Sequence, residues 1–179
     1  DESLTSDIFW YSPLLESSNG SVYVSYTGGP GTGGTNGNYI SEIDPEYGFE
    51  KQFFQYRDSD FGGKIMKFTL AKVEGNTFWI IGNILDGKPW SWSDPWKLFT
   101  AKLSDDKVLD VVVYDGNDNA KQEESVAHIA TVDNGLVFVT CEKGYMLSWR
   151  GDIKVPTSEF KVRKINTNLE DVWVKTINI

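Results

Sequence analysis

The sequence predicts an all-β chain built from three four-stranded antiparallel units, and three observations carry that expectation. Apolar residues recur with a period of two rather than that of a helix, in short runs rich in Val, Ile, Phe, Tyr, Trp and Thr. Gly, Asn and Asp separate those runs and supply turn residues along the whole chain. An apolar run, a Gly-containing turn and a second apolar run occur together three times, with the turn glycines at Gly20, Gly75 and Gly135.

The first unit is expected to use strands at 8–15, 21–26, 39–44 and 51–57, with Asn19-Gly20 as its first turn. The second uses 65–73, 77–82, 97–103 and 108–114 around Glu74-Gly75, and the third uses 126–133, 136–142, 145–149 and 158–165 around Asn134-Gly135. Asn-Gly and Glu-Gly suit tight hairpins because Gly accepts the positive φ that such turns demand. A last strand at 172–179 is expected to be the counterpart of 8–15. The one place for a helical turn is the Glu-rich stretch 120–125. These units divide a single domain, 8–179, at about 8–64, 65–125 and 126–179, behind an acidic tether at 1–7.

Composition removes several function classes. Seventeen Lys and Arg against 26 Asp and Glu leave a net charge of −9, which repels a nucleic-acid backbone. Cys141 is the one cysteine and His128 the one histidine, so neither an internal disulfide nor a Cys/His zinc cluster is expected. No apolar run approaches the roughly 20 residues of a membrane-spanning helix. Starting at Asp1, the chain is expected to be a processed mature protein or a trimmed piece of a longer one.

The stretch 39–48, Tyr-Ile-Ser-Glu-Ile-Asp-Pro-Glu-Tyr-Gly, together with the preceding run 20–26, Gly-Ser-Val-Tyr-Val-Ser-Tyr, resembles the blades of β-propellers. In that pattern a strand is followed by Ile-Asp-Pro-x-x-Gly and an outer strand. Asp44 and Pro45 would open the turn that Gly48 closes. The second unit has Leu-Ser-Asp-Asp at 103–106 and the third has Trp-Arg-Gly-Asp at 149–152, so the motif stands in the first unit alone. The resemblance implies a fold and no activity. Propellers have four to eight blades, so three units imply completion by another copy, or by the remainder of a longer chain, into a ring of six or more. The alternative is a β-trefoil, in which three units close on themselves. The absence of a Gln-x-Trp repeat and the length of the units favour propeller-like blades.

The most unusual segment is 86–96, which carries Lys88, Trp90, Trp92, Asp94 and Trp96 between two strands of the second unit. Indole faces there suit stacking on a sugar or on a partner's side chains, with Asp94 and Lys88 supplying directional hydrogen bonds. The competing reading packs the same rings over the domain or into a subunit contact. Pro89 and Pro95 stiffen the segment in either case. The glycine-rich run 27–38 occupies the same hairpin one unit earlier. It lacks Gly-Lys-Ser/Thr, a following helix and any basic residue, so it reads as a strand connection rather than a phosphate cradle.

Asp58/Asp60, Asp105/Asp106 and Glu123/Glu124 read as solvated turn carboxylates, and the Asx-rich 115–119 as an ordinary turn rather than a calcium loop. His128, on one strand face with Val126 and Ala130, and Cys141, with Val137 and Val139, read as packing residues. No catalytic residue, metal ligand or cofactor is assigned. The expected function is a non-enzymatic binding or scaffold protein of the cell exterior that presents aromatic loops to a glycan or a protein. The acidic start, which resembles the tethers of bacterial surface lipoproteins, agrees with that location. The alternatives are a structural subunit that assembles through its sheet edges, and a glycoside-acting hydrolase with paired carboxylates.

Overall fold

The computed structural model describes residues 10–11, 14–28, 37–86, 97–105, 107–114, 122–144 and 159–178. They form three antiparallel sheets, one of them curled into a half-barrel. The first holds β1 (Trp10–Tyr11), β2 (Leu15–Glu16), β3 (Val22–Gly28), β4 (Gly37–Ile43) and β5 (Glu50–Arg57), with β1 and β2 both paired to β3. A 3-10 turn, Asp58–Phe61, leads to the second sheet, β6 (Gly63–Glu74), β7 (Thr77–Asp86), β8 (Lys97–Ser104) and β9 (Lys107–Tyr114). The third holds β10 (Gln122–Val132), β11 (Gly135–Gly144), β12 (Glu159–Ile165) and β13 (Asp171–Asn178).

Each sheet is a meander of strands consecutive in the chain. Among the described residues, every ladder lies within one sheet. The trefoil alternative is thereby corrected, because a trefoil joins strands of different units into a barrel. Two other expectations change. Residues 122–125 open β10, with Gln122 through Ser125 pairing Gly144 through Cys141, so the ladder overrides local helix propensity. The fourth strand of the third sheet is β13, whereas 145–149 lies outside the described residues. The turn ahead of β13 carries neither Gly nor Pro. Asn166 Oδ1 instead accepts the backbone N–H groups of Asn168 at 2.8 Å and Glu170 at 3.0 Å, with Leu169 in the left-handed region at φ 62. In the first sheet the turn is as the sequence indicates: Gly48 N–H donates to the Asp44 carbonyl at 2.8 Å, and Gly48 has φ 72.

The three sheets share one register. In each, the third and fourth strands slip by one residue at the same step: after Glu42 in β4, after Lys102 in β8 and after Lys164 in β12. The extra residue falls on the fourth strand at Lys51, Leu109 and Val172. Aligning these bulges makes Tyr56, Tyr114 and Ile177 equivalent, because they pair Asn38, Leu98 and Phe160. It makes Tyr23, Trp79 and Val137 equivalent as the partners of Glu42, Lys102 and Lys164.

The sheets pack face to face in chain order. One core joins the first sheet to the second through Tyr23, Ile40, Phe54 and Tyr56 against Phe68, Phe78 and Phe99. A separate core joins the second to the third through Trp79, Ile81, Leu98 and Tyr114 against Leu136, Phe138, Ile165 and Leu169. The second sheet is thus covered on both faces. Residues 78–85 of its β7 are all buried, the polar Asn83 among them.

A tyrosine fastens each junction. Tyr56 Oη, on the fourth strand of the first sheet, donates to the Ser104 carbonyl at the turn between β8 and β9. Tyr114 Oη, its register equivalent, donates to the Leu169 carbonyl at the turn between β12 and β13 at 3.1 Å and lies 2.9 Å from Thr100 Oγ1. Lys102 Nζ donates to the Thr167 carbonyl of that same turn. Lys102 and Lys72 also lie over the Trp79 ring, 4.6 and 5.3 Å from its centroid.

Removing the Tyr114 hydroxyl leaves a buried carbonyl without its donor. Tyr114→Phe is expected to lower the unfolding free energy by about 1–3 kcal/mol in a denaturant titration. Glycine substitutions separate steric from conformational cost. At Gly135, φ 142, a Cβ would stand 1.9 Å from the Ile165 carbonyl oxygen, whereas at Gly20, φ 85, it would meet nothing within 4 Å. Gly20→Ala is expected to cost about 1–2 kcal/mol, and Gly135→Ala distinctly more, measured in the same titration.

Candidate functional site

An antiparallel meander sends alternate connections to opposite ends of its sheet. At one end lie the hairpins closed by Gly20, Gly75 and Gly135, together with the turns 44–49, 105–106 and 166–170. At the other end leave the segments 29–36, 87–96 and 145–158, each joining the second strand of a sheet to its third. The links between sheets, 58–62 and 115–121, start from this same end. In each sheet the long connection therefore departs from the end opposite its tight turns.

The sequence-predicted residues Lys88, Trp90, Trp92, Asp94 and Trp96 all fall within 87–96 and lie outside the described residues. Their anchors are described and rigid. On β7, Ile84 and Leu85 are buried, and on β8, Leu98 and Phe99 are buried. Asp86, the last residue before the tryptophan segment, pairs Gly63, the first of β6. Glycine is required there because a Cβ at Gly63 would stand 2.3 Å from the Leu85 carbonyl oxygen. Most of the glycine-rich run, 29–36, also lies outside the described residues. Its ends, Gly28 and Gly37, pair directly.

The 3-10 turn ties these anchors together. Phe61 is buried and meets Phe68 and Phe99 edge-on, with ring centroids 6.0 and 5.7 Å away. Asn38, fully buried beside Gly37, donates through Nδ2 to Asp58 Oδ1 at 3.0 Å. Arg57 N–H donates to Asp60 Oδ2 at 2.8 Å, and Gly62 reverses the chain with φ 79. The reading of Asp58/Asp60 as two solvated carboxylates is corrected for Asp58, which is half-buried and hydrogen-bonded. Burial pushes the Asp58 carboxyl above its ordinary range, against the lowering effect of hydrogen bonds from Asn38 and the Ile65 backbone and of the Lys64 charge. Sequence reasoning missed this pair because no local pattern links Asn38 to Asp58.

The His128 backbone pairs Val139, with a register slip between Val126 and His128. The Cys141 backbone pairs Ser125 and Phe160. The side chains of His128 and Cys141 lie outside the described ones. Among the described residues, no three His, Cys, Asp or Glu side chains gather as metal ligands, and no helix is long and apolar enough to cross a membrane.

No protein-family model matches the chain, and neither a curated protein nor a solved structure shows significant similarity to it. What is defined is the class: an all-β protein of three antiparallel sheets packed face to face.

Because folding raises the Asp58 pKa above its ordinary 3.8, the native state holds more protons than the unfolded state at pH values just above that point. Its contribution to stability therefore falls as pH rises through the window between the two values, and stays low at neutral pH. Asp58→Asn keeps an acceptor for Asn38 without the charge. Relative to the unaltered chain, the variant is expected to be more stable at neutral pH than in acid, with the change setting in just above 3.8. Unfolding titrations across pH read this difference.

Proposed function

We propose that this chain is a propeller-like, non-enzymatic binding protein of the cell exterior, which presents the 87–96 tryptophan segment to a glycan or a protein partner. The observation that carries this reading is directional. In each of three consecutive sheets the long connection, 29–36, 87–96 or 145–158, leaves from the end opposite the tight turns. Loops gathered at one end of a rigid β scaffold are the usual place for recognition, since the scaffold fixes their bases and leaves their tips free to vary. The buried Ile84, Leu85, Leu98 and Phe99 supply such a base for 87–96.

The chemistry of the segment favours a ligand with apolar faces and polar edges. Trp90, Trp92 and Trp96 offer stacking surfaces, while Asp94 and Lys88 offer an acceptor and a donor. Sugars present both features, as do peptide segments with aromatic or Pro side chains. The propeller reading is supported by the common register of the three sheets and by their packing in chain order.

Single Trp90→Ala, Trp92→Ala and Trp96→Ala variants test the reading on a glycan array and against peptide libraries. Loss of binding in at least one variant, with an unchanged melting temperature, is the expected outcome. Undiminished binding together with a stability loss of about 3–5 kcal/mol would make the rings packing residues and end the proposal.

A further inference from the structure

We infer that the uncovered face of the third sheet is a docking surface for the first sheet of a second copy of this chain, so that two copies close into one ring of six sheets. The argument rests on the repeated register and is independent of what the loops bind.

Both junctions use the same face of the sheet, with Tyr23 and Trp79, and Tyr56 and Tyr114, at equivalent positions. Toward the following sheet, the first sheet turns Tyr23, Ile40, Phe54 and Tyr56, and the second turns Trp79, Ile81, Leu98 and Tyr114. All eight are buried. The bulge alignment carries this face onto the third sheet, where the matching residues are Val137, Val139, Val162, Phe160, Ile177 and, at the position of Phe54, Lys175. None of these six is buried, and Ile177, which stands where Tyr56 and Tyr114 stand, is 48% exposed. The third sheet therefore presents the largely apolar half of a junction that occurs twice within the chain.

The first sheet presents the other half. Its opposite face carries Val22, Val24, Tyr39 and Phe53, with Phe53 55% exposed. Its turn 44–49 is the counterpart of the turns at Ser104 and at 166–170, which receive Tyr56 and Tyr114 in the internal junctions. In that turn Tyr47 and Phe49 stack on each other while 68% and 57% exposed.

Charge agrees with the pairing. Lys164 is the register equivalent of Lys102, which donates to the Thr167 carbonyl of the next sheet's turn, and Lys175 lies over Trp173 on the same face. The receiving turn carries Asp44 and Glu46. Complementary charge of this kind favours third-to-first-sheet pairing over two third sheets meeting, which would bring lysines together.

Head-to-tail contacts make closed rings only where the rotation closes. Of the multiples of three, only six falls within the four to eight sheets that close around an axis. Two copies satisfy both open faces of each.

Light scattering of the chain is expected to give about twice 20.2 kDa. Ile177→Asp and Phe53→Asp alter side chains already exposed in the single chain, and circular dichroism checks that each still folds. Each variant alone is expected to lose the dimer at concentrations where the unaltered chain holds it. Mixing the two restores a dimer, since one intact pair of faces remains. A 20.2 kDa particle for the unaltered chain overturns the inference, whether the face stays open or serves a further segment of a longer polypeptide. So does a Phe53→Asp chain that dimerises undiminished, which would mean that third sheets pair with each other.

Discussion

A four-stranded meander has two faces and can bury neither by itself, and the rest of this structure follows from that constraint. Its strands satisfy one another's backbone groups, yet the side chains alternating above and below the sheet remain in water until another layer covers them. Here the first and second sheets are each covered by their successor in the chain. Tyr23, Ile40 and Phe54 leave water only when Phe68, Phe78 and Phe99 arrive, and Trp79, Ile81 and Leu98 only when Leu136, Phe138 and Ile165 do. Polar contacts cross these interfaces too: Ser25 Oγ, buried between the first two sheets, donates to the Phe68 carbonyl at 3.1 Å and accepts the Leu70 N–H at 2.7 Å. Tyr56 and Tyr114 reach carbonyls at the turns of the following sheet, which fixes how far one sheet slides over the next.

The same constraint separates packing from presentation. The strand faces between sheets are committed to packing, and the 166–170 turn is occupied by the junction that Tyr114 and Lys102 complete. What remains for variation is, in each sheet, the end from which 29–36, 87–96 or 145–158 departs. There the anchors are held hard. Gly63 lies against Leu85, Phe61 is wedged between Phe68 and Phe99, and Asn38 is bound to Asp58. An aromatic segment on such a base can differ in sequence from its counterparts without disturbing the sheets below. The three connections share no motif, although the strands that carry them share a register.

Much of the architecture was legible in the sequence because a strand writes its period directly into the chain. The alternation of apolar and polar residues located β3 to β9, and Gly20, Gly75 and Gly135 marked the first hairpin of each unit because positive φ admits little else. The third unit was read one strand early. Its last hairpin turns on Asn166 and on Leu169 at φ 62, and Leu169 is not a conventional mark of a turn. The repeated bulge at Lys51, Leu109 and Val172 was also hidden, since a one-residue slip leaves no trace in composition. The tryptophan segment was visible as an oddity of composition. The Asn38–Asp58 pair was not, because it depends on two chain segments that only the finished sheet brings together.

Hydrogen exchange tests most directly the claim that cover by adjoining sheets sustains the fold. In the chain measured as a monomer, the backbone amides of β7 and β8 lie in the one sheet covered on both faces, and they are predicted to exchange most slowly. Slowest exchange in β4 and β5, in β12 and β13, or equally across all three sheets would contradict it.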